Sequence, residues 1–370
     1  MITKIELKNF KRFRDIDIYF HPNTISFIIG GNNSGKSTIL HALAVWEFCK
    51  TILVFEKGDN SILEGYNGAG LGIAFDNFSP LNIPSFKYIW TNLKANGGYN
   101  LSIKCFWQNN QNEEKFLSIS LSLVQERLYI KAGDTNLIQG DKIPRIAYLP
   151  TFAGISIKEQ WYSKAMRQTL IGQGLAGAVL RNEIIDLHRA NLNLRAEKKG
   201  NAKKIPKAAL KYIRENDPYE LLQAIVFKNF SGILYPLPFN PSFHTHVNVE
   251  FRKGETINNR FRPYENYTRR DIMVEGSGFL QWLSVYTFAL SPDVDVLLLD
   301  EPDAHLHVEL QSKLIDALKI IATKFNNQIL LATHSVEVIK NTYASDILFI
   351  KSASIVKYLK EERSKNSRII

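Results

Sequence analysis

Cysteine is scarce in this chain of 370 residues, with only Cys49 and Cys105 present. Two thiols cannot make a disulfide framework or a paired-cysteine metal site, and their scarcity fits a reducing cytoplasm. Long apolar runs are missing too. No uncharged apolar stretch reaches the roughly 18 residues of a membrane-spanning helix, so no membrane partner is expected. The opening MITKIELKNFKRF lacks the basic-then-apolar order of a secretory signal, which again points to the cytoplasm. Internal repeats of about 20–50 residues are absent, which excludes solenoids and propellers. What is abundant is positive charge, a net +10 with a pI of about 9.3. Such a surplus suits an acidic partner such as nucleic acid, or is simply the solvated surface of a basic protein. With 45% hydrophobic and 22% charged residues, the chain can bury a full globular core.

Period-2 apolar positions at Ile5 and Leu7, then Ile16 and Ile18, predict a hairpin turning at 9–14. Residues 25–29 form a short run of buried-strand type. It ends in Gly30-Gly31-Asn32-Asn33-Ser34-Gly35, which neither strand nor helix accommodates. Helical periodicity follows over 38–49, and residues 51–95 read as loop. Residues 99–131 return to period 2 and predict antiparallel strands, with another strand at 143–149. Helices are expected at 164–191 and 207–230, separated by a basic linker at 195–207 that holds Lys198, Lys199, Lys203 and Lys204. A block of like charge is a solvated loop or a contact for an acidic partner. After Asp271 the pattern predicts a strand at 294–299, a helix at 307–324, and strands at 328–332 and 347–350. Strands alternating with helices argue an α/β sandwich around a largely parallel sheet.

The motifs sit at the joints of this pattern. Gly30-x-x-x-x-Gly35-Lys36-Ser37 has P-loop spacing, after a strand and before a helix. Glycines let backbone N–H groups turn toward phosphate oxygens, and the helix N-terminus adds partial positive charge. Gly30, Asn32, Asn33, Ser34, Gly35, Lys36, Ser37 and Thr38 are therefore expected on the phosphates of ATP, with Ser37 on Mg²⁺. The run ending in Asp300-Glu301-Pro302 has the Walker B form. Asp300 would hold Mg²⁺ through water, and Glu301 would orient and activate the attacking water. His305 and His307, near those carboxylates, share no face with them, so no transition-metal site is expected.

Gly276-Ser277-Gly278-Phe279-Leu280-Gln281 opens a predicted helix reaching Leu290, with Gln281 lying 19 residues before Asp300. It resembles the ABC signature motif, which implies that Ser277, Gly278 and Gln281 meet the γ-phosphate held by a second protomer. Thr333-His334-Ser335 matches that family's H-loop, implying that His334 contacts the γ-phosphate and the catalytic water. Asp303-Ala304-His305 matches the D-loop. The opening Ile5-Glu6-Leu7-Lys8-Asn9-Phe10-Lys11-Arg12-Phe13 resembles the first strand and turn of RecF, SMC and OLD-type ATPases. The segments 300–307 and 332–335 are similar to the OLD-like ATPases of bacterial phage-defence operons. The likeness covers about residues 1–45 and 270–350.

This resemblance implies an ABC-type P-loop ATPase head: a mixed α/β sheet flanked by helices, an antiparallel β subdomain and a mainly helical insertion. The expected divisions are 1–150, 151–270 and 271–370. The resemblance also places Lys11 or Arg12 near the nucleotide and gives the Q-loop role to Gln108 or Gln160. OLD nucleases carry a TOPRIM domain, whereas here about 35 residues follow His334 without an acidic cluster. The chain is thus expected to cut nothing itself, and the charged tail at 357–368 to be a docking or disordered end. The helical stretch is too short for an SMC coiled-coil arm.

The implied function is an ATPase head with ATP and Mg²⁺ as cofactors. It would pair as a homodimer or higher homo-oligomer around two ATP molecules and serve as sensor or scaffold for a separate nuclease or toxin in phage defence. The alternative is a RecF-like DNA-repair ATPase; the long insertion disfavours a transporter cassette. Residues 151–270 are the expected recognition module. There Arg252, Lys253, Arg260, Arg262, Arg269 and Arg270 interleave with Phe251, Phe261, Tyr264 and Tyr267, which suits phosphates and stacked bases. The plain alternative is a strand with an aromatic core face and a solvated charged face.

Overall fold

A computed structural model describes residues 1–359 apart from 22–24, 110, 152–153, 258–259, 305 and 353–354. Strands β1 (Ile2–Phe10) and β2 (Phe13–Tyr19) form the expected hairpin, and β3 (Ile25–Gly30) leads into helix α1 (Lys36–Lys57). Helix α1 outruns its predicted end because residues such as Leu53 still find core to bury in; it stops at Gly58, with φ of 80°. By length and composition alone α1 would also cross a membrane, yet most of it is buried inside the protein. Next come β4 (Leu71–Ile73), β5 (Leu101–Gln108), β6 (Glu114–Val124), β7 (Arg127–Thr135) and β8 (Ile146–Leu149).

The insertion opens with α2 (Lys164–Gly172) and α3 (Leu180–Lys199), which the sequence reading joined into one helix. Glycines 172, 174 and 177 break it, and Gly174 has a φ of 80° that a helix cannot hold. The basic linker is shorter than expected. Arg195 belongs to α3, where it pairs with Glu220, and the loop starts only at Gly200. Helices α4 (Lys207–Asn216) and α5 (Pro218–Phe230) are separated at Asp217, whose side chain accepts from the Glu220 N–H and caps α5 ahead of its N-terminal proline. Helix then gives way to β9 (Gly232–Pro236), β10 (Val249–Ile257), β11 (Arg260–Pro263) and β12 (Arg270–Asp271), so only the first part of the insertion is helical.

The remainder follows the predicted order: α6 (Ser277–Leu290), β13 (Val296–Asp300), α7 (Val308–Phe325), β14 (Gln328–Ala332), α8 (Val336–Lys340), β15 (Ile347–Ser352) and β16 (Ile355–Tyr358). These strands make three sheets. An antiparallel sheet runs β2-β1-β5-β6-β7-β4, and the insertion's small sheet centres on β10. The third runs β16-β15-β3-β14-β13-β8 and is parallel apart from its edge strand β16.

Both faces of the parallel sheet are covered, which is why its strands read as unbroken apolar runs. Along β13, Val296 and Leu298 belong to the core shared with α1 and the antiparallel sheet, while Leu297 and Leu299 belong to the core shared with α6, α7 and the insertion helices. The insertion therefore shares a core with the C-terminal third. Gln328, fully buried at the start of β14, accepts from the Ile2 N–H and donates to its carbonyl, tying β1 to the parallel sheet. The adjacent strands β3, β14 and β13 end on one edge, and each delivers one predicted motif there.

Candidate functional site

The loop after β3 is shaped by close approaches. A Cβ on Gly30 would lie 2.6 Å from Ser34 Oγ and 2.7 Å from the Ile350 carbonyl oxygen. Gly35 has a φ of 108°, and a Cβ there would meet Arg12 Cδ at 2.6 Å. Only glycine lets the hairpin turn carrying Arg12 lie against the loop. Arg12 NH1 donates to the Asn33 carbonyl, while its buried Nε has no partner. Asn32 and Asn33 are exposed, Ser34 is buried with its hydroxyl unpartnered, and Thr38 lies half-buried in the first turn of α1. Lys36 is buried, and its Nζ donates to the carbonyls of Gly30 and Gly31 at 3.1 and 3.2 Å.

Asp300, at the last position of β13, faces this loop. Ser37 Oγ donates to its Oδ1 at 2.9 Å, joining the P-loop helix to the Walker B strand. Burial is the main cause that holds the Asp300 carboxyl above its ordinary range, with Ser37 opposing it. Glu301 follows with a φ of 48°, a left-handed backbone that is costly for a residue with a Cβ. Its Oε1 meets His334 Nδ1 at 2.9 Å, and both side chains reach solvent. His334 lies just past β14, beside the end of β13 in the sheet.

Asp303 is buried and accepts from Thr333 Oγ1 at 2.8 Å; burial pushes its carboxyl up as well. That bond ties the D-loop segment to the loop carrying His334. His305 falls outside the described residues, as does nearly all of the charged tail.

Ser277 opens α6 and is exposed, and Gly278 is half-buried, so both are open to an incoming group. Gln281 needs correction. One turn further on, it is 4% exposed and its Nε2 donates to the Glu301 carbonyl at 3.2 Å. It is thus buried against the Walker B turn in the single chain, with its Oε1 left without a partner, where the resemblance implied an exposed contact. Gln108 is also corrected as a Q-loop residue. It lies at the amino end of the parallel sheet, beside Asp295 and Val296 at the start of β13, on the edge opposite Asp300. Gln160 follows Glu159, and its carbonyl accepts from Asn182 in the insertion. The interleaved run at 251–270 divides: Phe251 is core, whereas Arg260, Arg262 and Tyr264 are exposed.

Three residues at the site, His41, Tyr148 and Thr151, escaped the sequence reading, and they adjoin Lys11, which the resemblance placed near the nucleotide. Lys11 Nζ lies 2.7 Å from His41 Nδ1, and His41 Nε2 lies 3.1 Å from the Tyr148 hydroxyl. Tyr148 in turn donates to Asp300 Oδ2 at 3.3 Å, while Thr151 Oγ1 donates to the Asp300 carbonyl at 3.3 Å. Burial lowers the His41 imidazole to about 3, with Lys11 adding to it, and lowers Lys11 to about 8. Of these, His41 left a local signal. It stands four residues after Ser37 on the same helix face.

Residues 1–128 match the family model described as "AAA ATPase domain". Residues 164–340 match "AAA domain, putative AbiEii toxin, Type IV TA system". No curated protein matches the chain. An SMC head bound to the C-terminal winged-helix domain of ScpA aligns over 97% of this chain and 98% of its own, at 16% identity and a TM-score of 0.51. The Pyrococcus furiosus Smc head, with an extended coiled coil and the C-terminal domain of ScpA, aligns over 97% and 96% at 15% identity and a TM-score of 0.54. A RecF structure from the RecFOR pathway reaches a TM-score of 0.48 at 13% identity, too distant to weigh. Both matching family models are thus AAA ATPase domains, and the fold is that of an SMC head.

Proposed function

We propose that this chain binds ATP with Mg²⁺ and hydrolyses it slowly, as one half of a head-to-head dimer. The observation that carries the reading is the Ser37–Asp300 bond of 2.9 Å, which brings P-loop and Walker B together although 263 residues separate them. The site also fits the cofactors in its unspent capacity. Ser34 Oγ and Arg12 Nε are buried without partners beside the loop, and Lys36 sits at its centre. Ser37 and Asp300 would hold Mg²⁺, which offsets negative charge on the phosphoryl oxygens. Lys36 would turn its charge from the loop carbonyls to the β- and γ-phosphates. Glu301 accepts a proton from the attacking water, and the His334 ring beside it fixes the direction of that carboxylate.

A signature motif has no phosphate to bind within its own chain, so exposed Ser277 is read as the contribution to a partner's site. The dimer is read further as the cytoplasmic sensor or scaffold of a phage-defence system that acts through a separate nuclease or toxin. The AbiEii-type match over 164–340 supports that reading, because it spans most of the insertion along with the catalytic third. Nucleic acid is the competing partner. Arg260 and Arg262 are exposed and carry no ion pair among the described residues.

Equilibrium ATP binding and steady-state turnover test the core of the proposal. Lys36→Ala should lose ATP affinity by at least about a hundredfold, since it removes the charge facing the phosphates. Glu301→Gln should bind ATP as well as the wild type and lose turnover by a similar factor. Tight ATP binding by Lys36→Ala would refute the site.

A further inference from the structure

Three side chains behind Asp300 form a hydrogen-bonded chain whose direction is set by its first member. A lysine ammonium can only donate. Lys11 Nζ, 2.7 Å from His41 Nδ1, therefore makes that nitrogen the acceptor. The ring's proton then sits on Nε2, which donates to the Tyr148 oxygen at 3.1 Å. The Tyr148 hydroxyl, with its oxygen already accepting, donates to Asp300 Oδ2 at 3.3 Å. Ser37 donates to the other carboxylate oxygen, Oδ1, at 2.9 Å. The direct approach of His41 Nε2 to Oδ2 is longer, at 3.9 Å.

Four elements supply this chain: the β1–β2 turn, α1, β8 and β13. The turn is held in place, since the Lys11 backbone N–H donates to the Ile89 carbonyl at 2.7 Å and its φ is 47°. Tyr148 is 5% exposed and pairs with Leu298 across the parallel ladder, so the ring cannot swing away from the Walker B strand. A carboxylate at a strand end would otherwise turn about its last side-chain bond.

We propose that Tyr148, backed by His41 and Lys11, is a positioning residue for Asp300: it holds one carboxylate oxygen so that the other stays with Ser37, where Mg²⁺ binds with ATP. The inference rests on the Mg²⁺–ATP reading above and deepens it. Tyr148 is placed to act through Asp300, so its effect should fall on the metal-linked part of ATP affinity.

The test compares ATP affinity in excess Mg²⁺ with affinity in EDTA, by calorimetry on the full chain. The ratio of the two measures the metal's contribution without any turnover. Tyr148→Phe removes one oxygen and keeps the ring. It should leave the EDTA affinity within twofold of the wild type and cut the Mg²⁺-to-EDTA ratio about tenfold, as one hydrogen bond to a charged group would. His41→Leu, one step further away, should cut the ratio less, by about threefold, with EDTA affinity again kept. Mn²⁺ in place of Mg²⁺, with a non-hydrolysable ATP analogue, gives a direct readout: paramagnetic resonance should show weaker Mn²⁺ retention in both variants.

Equal loss of affinity with and without metal would mean that Tyr148 only supports the fold, and the proposal would fall. An unchanged ratio in Tyr148→Phe would overturn it as well. A wild-type chain that binds ATP without any help from Mg²⁺ would instead remove the functional reading on which the proposal stands.

Discussion

The carboxyl edge of the parallel sheet and the insertion both bury charge, and they do so for different ends. At the sheet edge, Lys36 opens α1, Asp300 ends β13 and Asp303 lies in the turn after it, all three buried. Their surroundings are unfinished, because Ser34 Oγ and Arg12 Nε lack partners. In the insertion, Arg167 and Arg181 are 3% and 1% exposed, and each is closed by carboxylates. Arg167 meets Glu183 and Asp186; Arg181 meets Asp271 at 2.6 Å and Glu159 at 3.7 Å. Glu159 also accepts the backbone N–H groups of Arg181 and Asn182 at the start of α3. Neither arginine has a buried atom without a partner. Closed charge networks hold segments together, whereas open ones leave capacity for a ligand.

Stability should therefore respond to the insertion's charges and ligand binding to those of the edge. The largest stability effect is expected from Arg181→Met, which strands Glu159 and Asp271. It should cost about 3–5 kcal/mol in chemical denaturation, the range for breaking a buried pair on one side. If Arg181→Met unfolds no more easily than the wild type, the insertion is not held by its charges and the contrast fails.

A subtler effect is expected at Glu301. Its backbone is left-handed, so Glu301→Gly should be more stable than Glu301→Ala by about 1 kcal/mol, although both lose the carboxylate proposed to activate water. Equal stabilities would mean that the Walker B turn stores no strain.

The smallest stability effect per residue belongs to Lys198, Lys199, Lys203 and Lys204, all exposed at the end of α3 or in the loop after it. Changing all four to Glu should move stability by no more than about 0.5 kcal/mol for each exposed site. ATP affinity should be unaffected. Should the insertion bind nucleic acid, the same change would weaken that binding and flatten its salt dependence. Binding indifferent to salt and to these four changes would leave a protein as the partner.

Legibility in the sequence followed the same divide. The helix end at Leu290 and the strand from Gln328 to Ala332 were readable to the residue, and the helix start to within the Gly-Ser-Gly turn, because continuous apolar runs and such turns are local signals. Gly30, Lys36, Asp300, Glu301 and His334 were legible for the same reason. The chain from Lys11 through His41 and Tyr148 to Asp300 was not, since its links span 30, 107 and 152 residues. Gln281 was misplaced because the motif fixes its spacing and says nothing of which way its helix face turns. In the insertion, three glycines divided what periodicity joined, and the strands from β10 to β12 fall in the run of charged and aromatic residues that was read either as a nucleic-acid contact or as a strand with a solvated charged face.

The central claim is a site completed by two chains around ATP, and sedimentation of Glu301→Gln tests it most directly. With Mg²⁺ and ATP this variant should sediment as a dimer, and without nucleotide as a monomer. Adding Ser277→Arg, which places a bulky charge at the exposed start of α6, should return it to a monomer that still binds ATP. A double variant that dimerises as fully as Glu301→Gln, or a Glu301→Gln protein whose size ignores ATP, would contradict the account.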